Sequence, residues 1–224
     1  MFTAAIFDMD GLLLDSERTI MQAWLDSARA LDVLLHEADY IGVIGLAHAE
    51  ATARLTALLG STHDYERVQR DAARRLAPEA GVVFALKPGA MVVLQALRQR
   101  GVPCAVASST HVAEVRRRLA VAGIDGFFRA VAGGDEVPRG KPDPAVYRLA
   151  AQRAGIDPLS ALAFEDSDHG SAAARAAGLQ VVTVPDLKTP DAASSLRQLA
   201  SLVDALQHLD DWFPTAPRNT LPGL

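Results

Sequence analysis

Residues Phe2–Glu17 read FTAAIFDMDGLLLDSE: an apolar run, then Asp8 and Asp10 flanking Met9, then Gly11 and a second apolar run. A short run without polar alternation predicts a strand of a parallel sheet covered on both faces. Two carboxylates crowded at the end of such a strand lose solvation and repel one another, so one pKa rises unless a cation intervenes. A calcium loop of the EF-hand type needs a glycine and a glutamate where this chain has Leu13 and Thr19, which excludes it. A surface Asp–Gly turn conflicts with the apolar runs on both sides. A magnesium site with a nucleophilic carboxylate remains, and it requires more acids from elsewhere in the chain.

Further apolar runs predict strands at Val102–Ser108, Ala130–Gly133, Ala161–Glu165 and Gln180–Val184, with the first at Thr3–Phe7. Helices are predicted between them over Ala90–Arg100, Val112–Ala122, Pro144–Ala154 and Ser171–Ala177, each followed directly by a glycine. This alternation indicates an α/β fold, a doubly wound parallel-sheet core of Rossmann type. Residues 16–84 break the rhythm with helical periodicity (Ile20, Trp24, Ala28, Leu31; later Leu55, Leu58, Leu59) and no convincing strand. They are read as a helical domain inserted into a core formed by residues 1–15 and 85–224. The apolar stripe Leu196, Leu199, Leu202, Val203, Leu206 and Leu209 predicts one last helix, and the Pro-containing tail after it is expected to be irregular.

A second acidic strand end supplies the missing acids. Glu165, Asp166 and Asp168 follow the run ALAF, and ligands of doubly wound sheets bind beyond the carboxyl ends of the strands, where the two acidic ends can converge. Ser108, Ser109 and Thr110 end another strand just before a helix, where hydroxyls and free N–H groups form an anion site. Lys141, in GKPDP (Gly140–Pro144), would neutralise charge gathering near four carboxylates and a phosphate. Nucleophile, cation site, anion cradle and positive clamp all fall after predicted strands or in strand–helix connections.

Composition narrows the class of partner. Half of the 224 residues are hydrophobic, 22% are charged and the net charge is −5, so nucleic acid is an unexpected partner. The arginine run in EVRRRLA (Glu114–Ala120) reads as the solvated face of a helix. No segment approaches the ~20 apolar residues of a membrane span, and the N-terminus lacks signal-peptide features. Cys104 is the only cysteine and reads as a packed core thiol; a cytoplasmic setting is expected.

Taken together, FDMDGLLLDSE, VASST, GKPDP and FEDSDHGSAAARAAG, in this order, resemble the haloacid dehalogenase superfamily of phosphohydrolases. The closer likeness is to the branch of β-phosphoglucomutase-like sugar-phosphate phosphatases. The resemblance implies that Asp8 attacks phosphorus to give an aspartyl-phosphate, and that Asp10 serves as general acid and then general base. It implies phosphoryl contacts from Ser108, Ser109 and Lys141. It also implies Mg2+ on the Asp8 carboxylate, the Asp10 backbone carbonyl and Asp166, with Glu165 as ligand or in the shell behind. The inserted helices resemble the family's cap, which closes over the site and reads a small phosphorylated metabolite, a sugar phosphate or phospho-acid.

Three positions depart from the mutases of this branch, two in the inserted helices and one just past Ser108–His111. His48, after Gly45, stands where many relatives carry Arg or Lys; Ile20 replaces a histidine and Val112 an amide. A mutase must hold a second phosphate, for which Arg is suited by bidentate bonds, so the departures favour simple hydrolysis over a β-phosphoglucomutase reaction. A phosphorylation-switched receiver module shares the acid cluster, Ser/Thr and Lys, but needs neither Asp10 nor a lid. His48 and His111 are candidate substrate contacts, with a plain surface position equally open for each. His169 is expected at the border of the site and Trp24 in cap packing; Trp212 and Phe213 could pack on the core or meet another subunit. The expected state is a monomer or weak homo-oligomer without membrane contact.

Overall fold

The computed structural model describes residues 1–46, 48–77, 80–191 and 195–214, and for His48 the backbone alone. Six parallel strands, β1 (Ala4–Phe7), β2 (Cys104–Ala107), β3 (Phe128–Ala132), β4 (Ala161–Glu165), β5 (Gln180–Thr183) and β6 (Arg197–Gln198), lie in the order β3-β2-β1-β4-β5-β6. The chain winds outward from β1 in one direction and then in the other, so the β1–β4 boundary is the switch point where such sheets hold ligands. Strand alternation divides the core. Ala5 and Phe7 point to a layer with Leu94, Leu97, Val115, Leu119 and Leu202, whereas Ala4 and Ile6 meet Val146, Tyr147, Ala150 and Ala173 on the other face. The first layer is covered by α5 (Ala90–Gln99) and α6 (Val112–Val121), the second by α7 (Ala145–Ala154) and α8 (Asp168–Ala176).

Register delivers the carboxylates. Phe7 is paired with Phe164 and with Val106, and the Phe7 and Phe164 rings stack at 4.8 Å, so the residues just beyond, Asp8 and Glu165, emerge side by side. Gly11 then turns the chain with φ +79°, a conformation L side chains avoid. A Cβ there would lie 2.3 Å from Asp166 Oδ2, so the absent side chain also makes room for the second acidic strand end.

The helices α1 (Ser16–Ala30), α2 (Glu37–Ile41), α3 (His48–Leu59) and α4 (Thr62–Leu76) follow without a strand among the described residues. They share a separate apolar cluster of Met21, Ala28, Tyr40, Leu55, Leu59, Tyr65 and Val68. Trp24 packs its ring at 5.9 Å from Tyr40 and 5.8 Å from Tyr65, within this cluster. The outgoing and returning connections run antiparallel, joined by Asp15 N–H to Ala85 O (2.8 Å) and Lys87 N–H to Leu13 O (2.9 Å).

The end of the chain corrects one expectation. In place of one helix through Leu196–Leu209, the chain makes β6, a 3-10 segment (Leu202–His208) and the short α9 (Leu209–Trp212). The leucines fit a helical period, but β6 is held by Leu196 N–H to Val181 O and Leu199 N–H to Thr183 O, and Ser201 then caps a fresh start through Val203 N–H. Leu199, Leu202 and Leu209 are buried while Leu196, Val203 and Leu206 are exposed, so the supposed stripe is split. Trp212 and Phe213 pack on the core: Trp212 lies edge-on to Phe164 at 6.0 Å and Phe213 meets Phe2 at 6.2 Å. Most of the tail, residues 215–224, falls outside the described residues. Helix α8 starts earlier than predicted, because the Ser167 hydroxyl accepts from Gly170 N–H at 3.1 Å and caps it.

No helix among the described residues is long and apolar enough to cross a membrane. Cys104 is buried in β2, and that burial pushes its thiol pKa up to about 12, which removes it from nucleophilic chemistry.

Candidate active site

Asp8, Glu165 and Asp166 converge at the switch point, each buried, with ligand oxygens all within 4.8 Å of one another. Lys141, brought in by the connection before α7, places its ammonium 2.6 Å from Asp8 Oδ1 and 2.5 Å from Glu165 Oε1; its side chain is 6% exposed. The Tyr147 hydroxyl donates to the same Glu165 oxygen at 2.6 Å, and Ser167 donates to Oε2 at 3.1 Å. Glu165 is thus satisfied on both oxygens from within the protein, whereas Asp166 has no such set of partners among the described residues.

Charge is balanced unevenly here. Burial pushes the Asp8 pKa well above the carboxylate range, with Lys141 opposing and the nearby Glu165 and Asp10 adding to the rise. Asp166 is raised for the same reasons, burial first, then Asp8 and Glu165. For Lys141 burial disfavours the charge, but Asp8 and Glu165 outweigh it and hold the ammonium above its ordinary range. One lysine cannot match three buried carboxylates, so the site takes up protons or a cation, and the donors it offers a cation are hard oxygens. That donor set fits a small divalent cation such as Mg2+, and the space over Gly11 admits Asp166 to it. Adding Mg2+ at pH 7.5 is therefore expected to raise the unfolding free energy by about 2.7 kcal/mol at a hundredfold excess over Kd, and Asp166→Asn should remove most of that gain. Equal Mg2+ stabilisation of wild type and Asp166→Asn would place the ion elsewhere.

Asp10 faces a different set. Its Oδ1 accepts from the Ser16 hydroxyl (2.6 Å) and Arg118 Nη1 (2.8 Å), and its Oδ2 from the Thr110 hydroxyl (2.8 Å), with Ser108 Oγ at 3.5 Å. Its carboxylate stands outside the Asp8–Glu165–Asp166 trio, although both aspartates line one cavity. Arg118 corrects the reading of EVRRRLA as a solvated face. Its side chain is only 13% exposed, pinned by Glu114 at 2.7 Å and lying 4.5 Å over the Phe84 ring. Glu114 stands four positions before it, the favourable spacing on a helix, and that pairing aims the guanidinium at Asp10.

Two adjoining cavities open above these residues. The larger is lined by Asp8, Asp10, Glu17, Gly45, Leu46, Ser108, Ser109, Lys141, Asp166 and His169, so most of the residues predicted for the site meet there. Glu17, Asp166 and Gly45 also line the smaller one, with Ile44, Asp168, Lys188 and Pro190. Asp168 is turned to the Asp191 N–H at 2.8 Å. His111 is not brought in: its side chain is 81% exposed and faces Asp135 at 3.7 Å. The His48 side chain lies outside the described residues. Sequence reasoning missed Ser16, Glu17, Arg118, Tyr147 and Lys188 as site neighbours. Only Ser16 and Glu17, at the end of the quoted stretch, carried a local signal; the others are assembled by tertiary packing.

Glu17 has its pKa raised to about 7, chiefly by burial and then by Asp186 and Asp10, Lys87 opposing. A folded-state pKa above the ordinary 4.5 means that the native state holds the proton longer than the unfolded chain. Stability is then full below about 4.5 and falls as pH rises toward about 7, by up to roughly 3 kcal/mol. Urea unfolding between pH 4.5 and 7.5 should show a shallower decline for Glu17→Gln than for wild type; equal slopes would contradict this origin.

Comparison with known proteins agrees with the geometry. Residues 2–178 match the family model described as haloacid dehalogenase-like hydrolase. The chain is 31% identical over 181 residues to a phosphorylated carbohydrates phosphatase of Thermotoga maritima, covering 79% of this chain and 82% of that one. It is 33% identical over 193 residues to a fructose-1-phosphate phosphatase of Escherichia coli, covering 82% and 96%. Among solved structures, CbbY from Rhodobacter sphaeroides in complex with phosphate superposes with a TM-score of 0.76 at 28% identity, covering 92% of this chain and 96% of that one.

Proposed function

The chain belongs to the haloacid dehalogenase-like hydrolases, and on that premise we propose that it is a Mg2+-dependent phosphomonoesterase acting on a small phosphorylated carbohydrate through an aspartyl-phosphate on Asp8. The observation that carries the reading is the buried Asp8 held between Lys141 and the second acidic strand end, at the mouth of a cavity that also presents Ser108.

Asp8 Oδ attacks phosphorus and the ester oxygen leaves with a proton from Asp10; water, deprotonated by Asp10, then cleaves the acyl phosphate and regenerates Asp8. Lys141 and the Ser108 hydroxyl offer donors to the phosphoryl oxygens, placed before any charge develops. Asp8 and Asp166, with Glu165 behind, would hold Mg2+, which supplies further neutralisation of phosphoryl charge. Asp10 reaches this chemistry by exchanging its contacts with Ser16, Thr110 and Arg118 for contacts with substrate. Because Ser16 begins α1 and Phe84 lies on the return from residues 16–84, movement of those helices as a lid bears directly on that exchange. Lys141 is the one lysine among the described residues of the cavity, and Ile20 and Val112 pack against apolar clusters, which favours hydrolysis over a mutase that must grip a second phosphate.

The test is phosphate release from p-nitrophenyl phosphate and a panel of phosphorylated sugars, polyols and acids, with and without Mg2+. With p-nitrophenyl phosphate, whose leaving group needs no proton, Asp10→Asn is expected to accumulate phosphorylated protein while releasing phosphate at least about 100-fold more slowly. Release at the wild-type rate by Asp10→Asn would refute the acid–base assignment. Conversion of β-glucose 1-phosphate to glucose 6-phosphate, with a trace of bisphosphate, would favour the mutase instead.

A further inference from the structure

A separate cavity of about 210 Å3 opens at the amino ends of β2 and β3, whereas Asp8 and Ser108 lie beyond the carboxyl ends of their strands. Leu94 and Cys104, both buried, line it with Val102 and Phe127 and give it apolar walls. The volume exceeds the ~150 Å3 in which a protein can hold a benzene ring. Two arginines, Arg98 and Arg129, line the same cavity, and no described carboxylate does. Neither guanidinium has an ion-pair partner among the described residues, and Arg98 is held 4.3 Å over the Phe127 ring.

Arg98 stands in the last turn of α5, where a cation suits the end of a helix, which accounts for one of the two. Arg129 has no such reason. Cys104 pairs with Phe128 and Ala105 with Ala130, so Arg129 is the extra residue of a bulge in the edge strand β3. Across it Phe128 and Val131 pack on one face of the sheet, Ala130 and Ala132 on the other. Bulges re-aim a side chain, and this one leaves Arg129 at the cavity, where its charge acts on the Cys104 thiol against the larger effect of burial. Two like charges at one cavity repel, and an anion between them replaces that repulsion by attraction. Guanidinium groups match phosphate and carboxylate oxygens in pairs, two N–H donors to two acceptors. We infer that this cavity is a second binding site, for a small molecule that joins an oxyanion head to an apolar or aromatic body. The arginines take the head and the apolar walls take the body. The site stands apart from the phosphomonoesterase reading and does not depend on it.

The test is an amide NMR titration of the full chain with phenylphosphonate, which carries both parts and has no ester bond to hydrolyse. The amide signals of Gly101, Gly126 and Arg129 should shift together, whether or not those of Gly11 and Ser108 move as well. In the double variant Arg98→Gln, Arg129→Gln the Kd read from the cavity signals should weaken by about tenfold or more, with the signals of the rest of the chain in place. Benzyl alcohol, which has only the body, and inorganic phosphate, which has only the head, should each bind there about tenfold or more weakly than phenylphosphonate. Shifts confined to the active-site signals would overturn the inference. So would equal binding by the double variant, which removes the role of the arginines, or equal binding of benzyl alcohol or inorganic phosphate, which removes the ligand class.

Discussion

Replacing Asp8 by Asn is expected to lower phosphate release by on the order of 10⁴-fold or more on every substrate. The side chain keeps its size and its place beyond Phe7, but an amide oxygen cannot form the acyl phosphate. Asp8 is buried and its charge is disfavoured there, so the loss of activity should not come from unfolding. Far-UV circular dichroism and the urea midpoint, measured beside phosphate release, separate the two causes. A folded Asp8→Asn protein with turnover near wild type would show that another group attacks phosphorus, and the mechanism would have to be rebuilt.

Replacing Lys141 by Met should be the most damaging change to stability in the site. Its ammonium touches Asp8 and Glu165 and its side chain is nearly sealed from solvent. Removing one member of a buried ion cluster leaves the others uncompensated, at a typical cost of about 3–5 kcal/mol. Urea unfolding gives the number directly. Combining Lys141→Met with Glu165→Gln should cost less than the sum of the single changes, because the amide no longer needs a cation. Strict additivity would mean that lysine and glutamate do not stabilise one another. Activity should fall too, by about 10²–10³-fold, since the donor set around the transferring phosphoryl loses a fixed positive charge.

Much of this architecture was legible in the chain because it rests on local patterns. The strands β1, β2, β4 and β5 are runs such as AAIF, CAVA, ALAFE and QVVT, buried on both faces, and an unalternated apolar run has few other ways to be satisfied. The two acidic strand ends were legible for the complementary reason: carboxylates after a buried run need a cation. Where the reading failed, the deciding partners were distant in sequence. Leu196–Leu209 has a helical period, but the unpaired edge of β5 draws Arg197–Gln198 into the sheet. Arg118 sits in a run that looks solvated, and its burial depends on Asp10 and Phe84, remote in the chain.

Which groups are available can be read along the chain: Asp8 and Asp10 around Met9, a second acid cluster at Glu165–Asp168, the hydroxyls of Ser108–Thr110 and the ammonium of Lys141. How they divide is set by contacts between distant elements. Pairing of β1 with β4 puts Asp8 beside Glu165 and Asp166, and the chain before α7 drops Lys141 between them. The turn at Gly11 carries Asp10 away to Ser16, Thr110 and Arg118. Spacing along a strand says which face a side chain can reach; which charges neutralise one another there depends on strand order and on side chains arriving from other elements, and a buried carboxylate is settled by the nearest donor rather than by its neighbour in the chain.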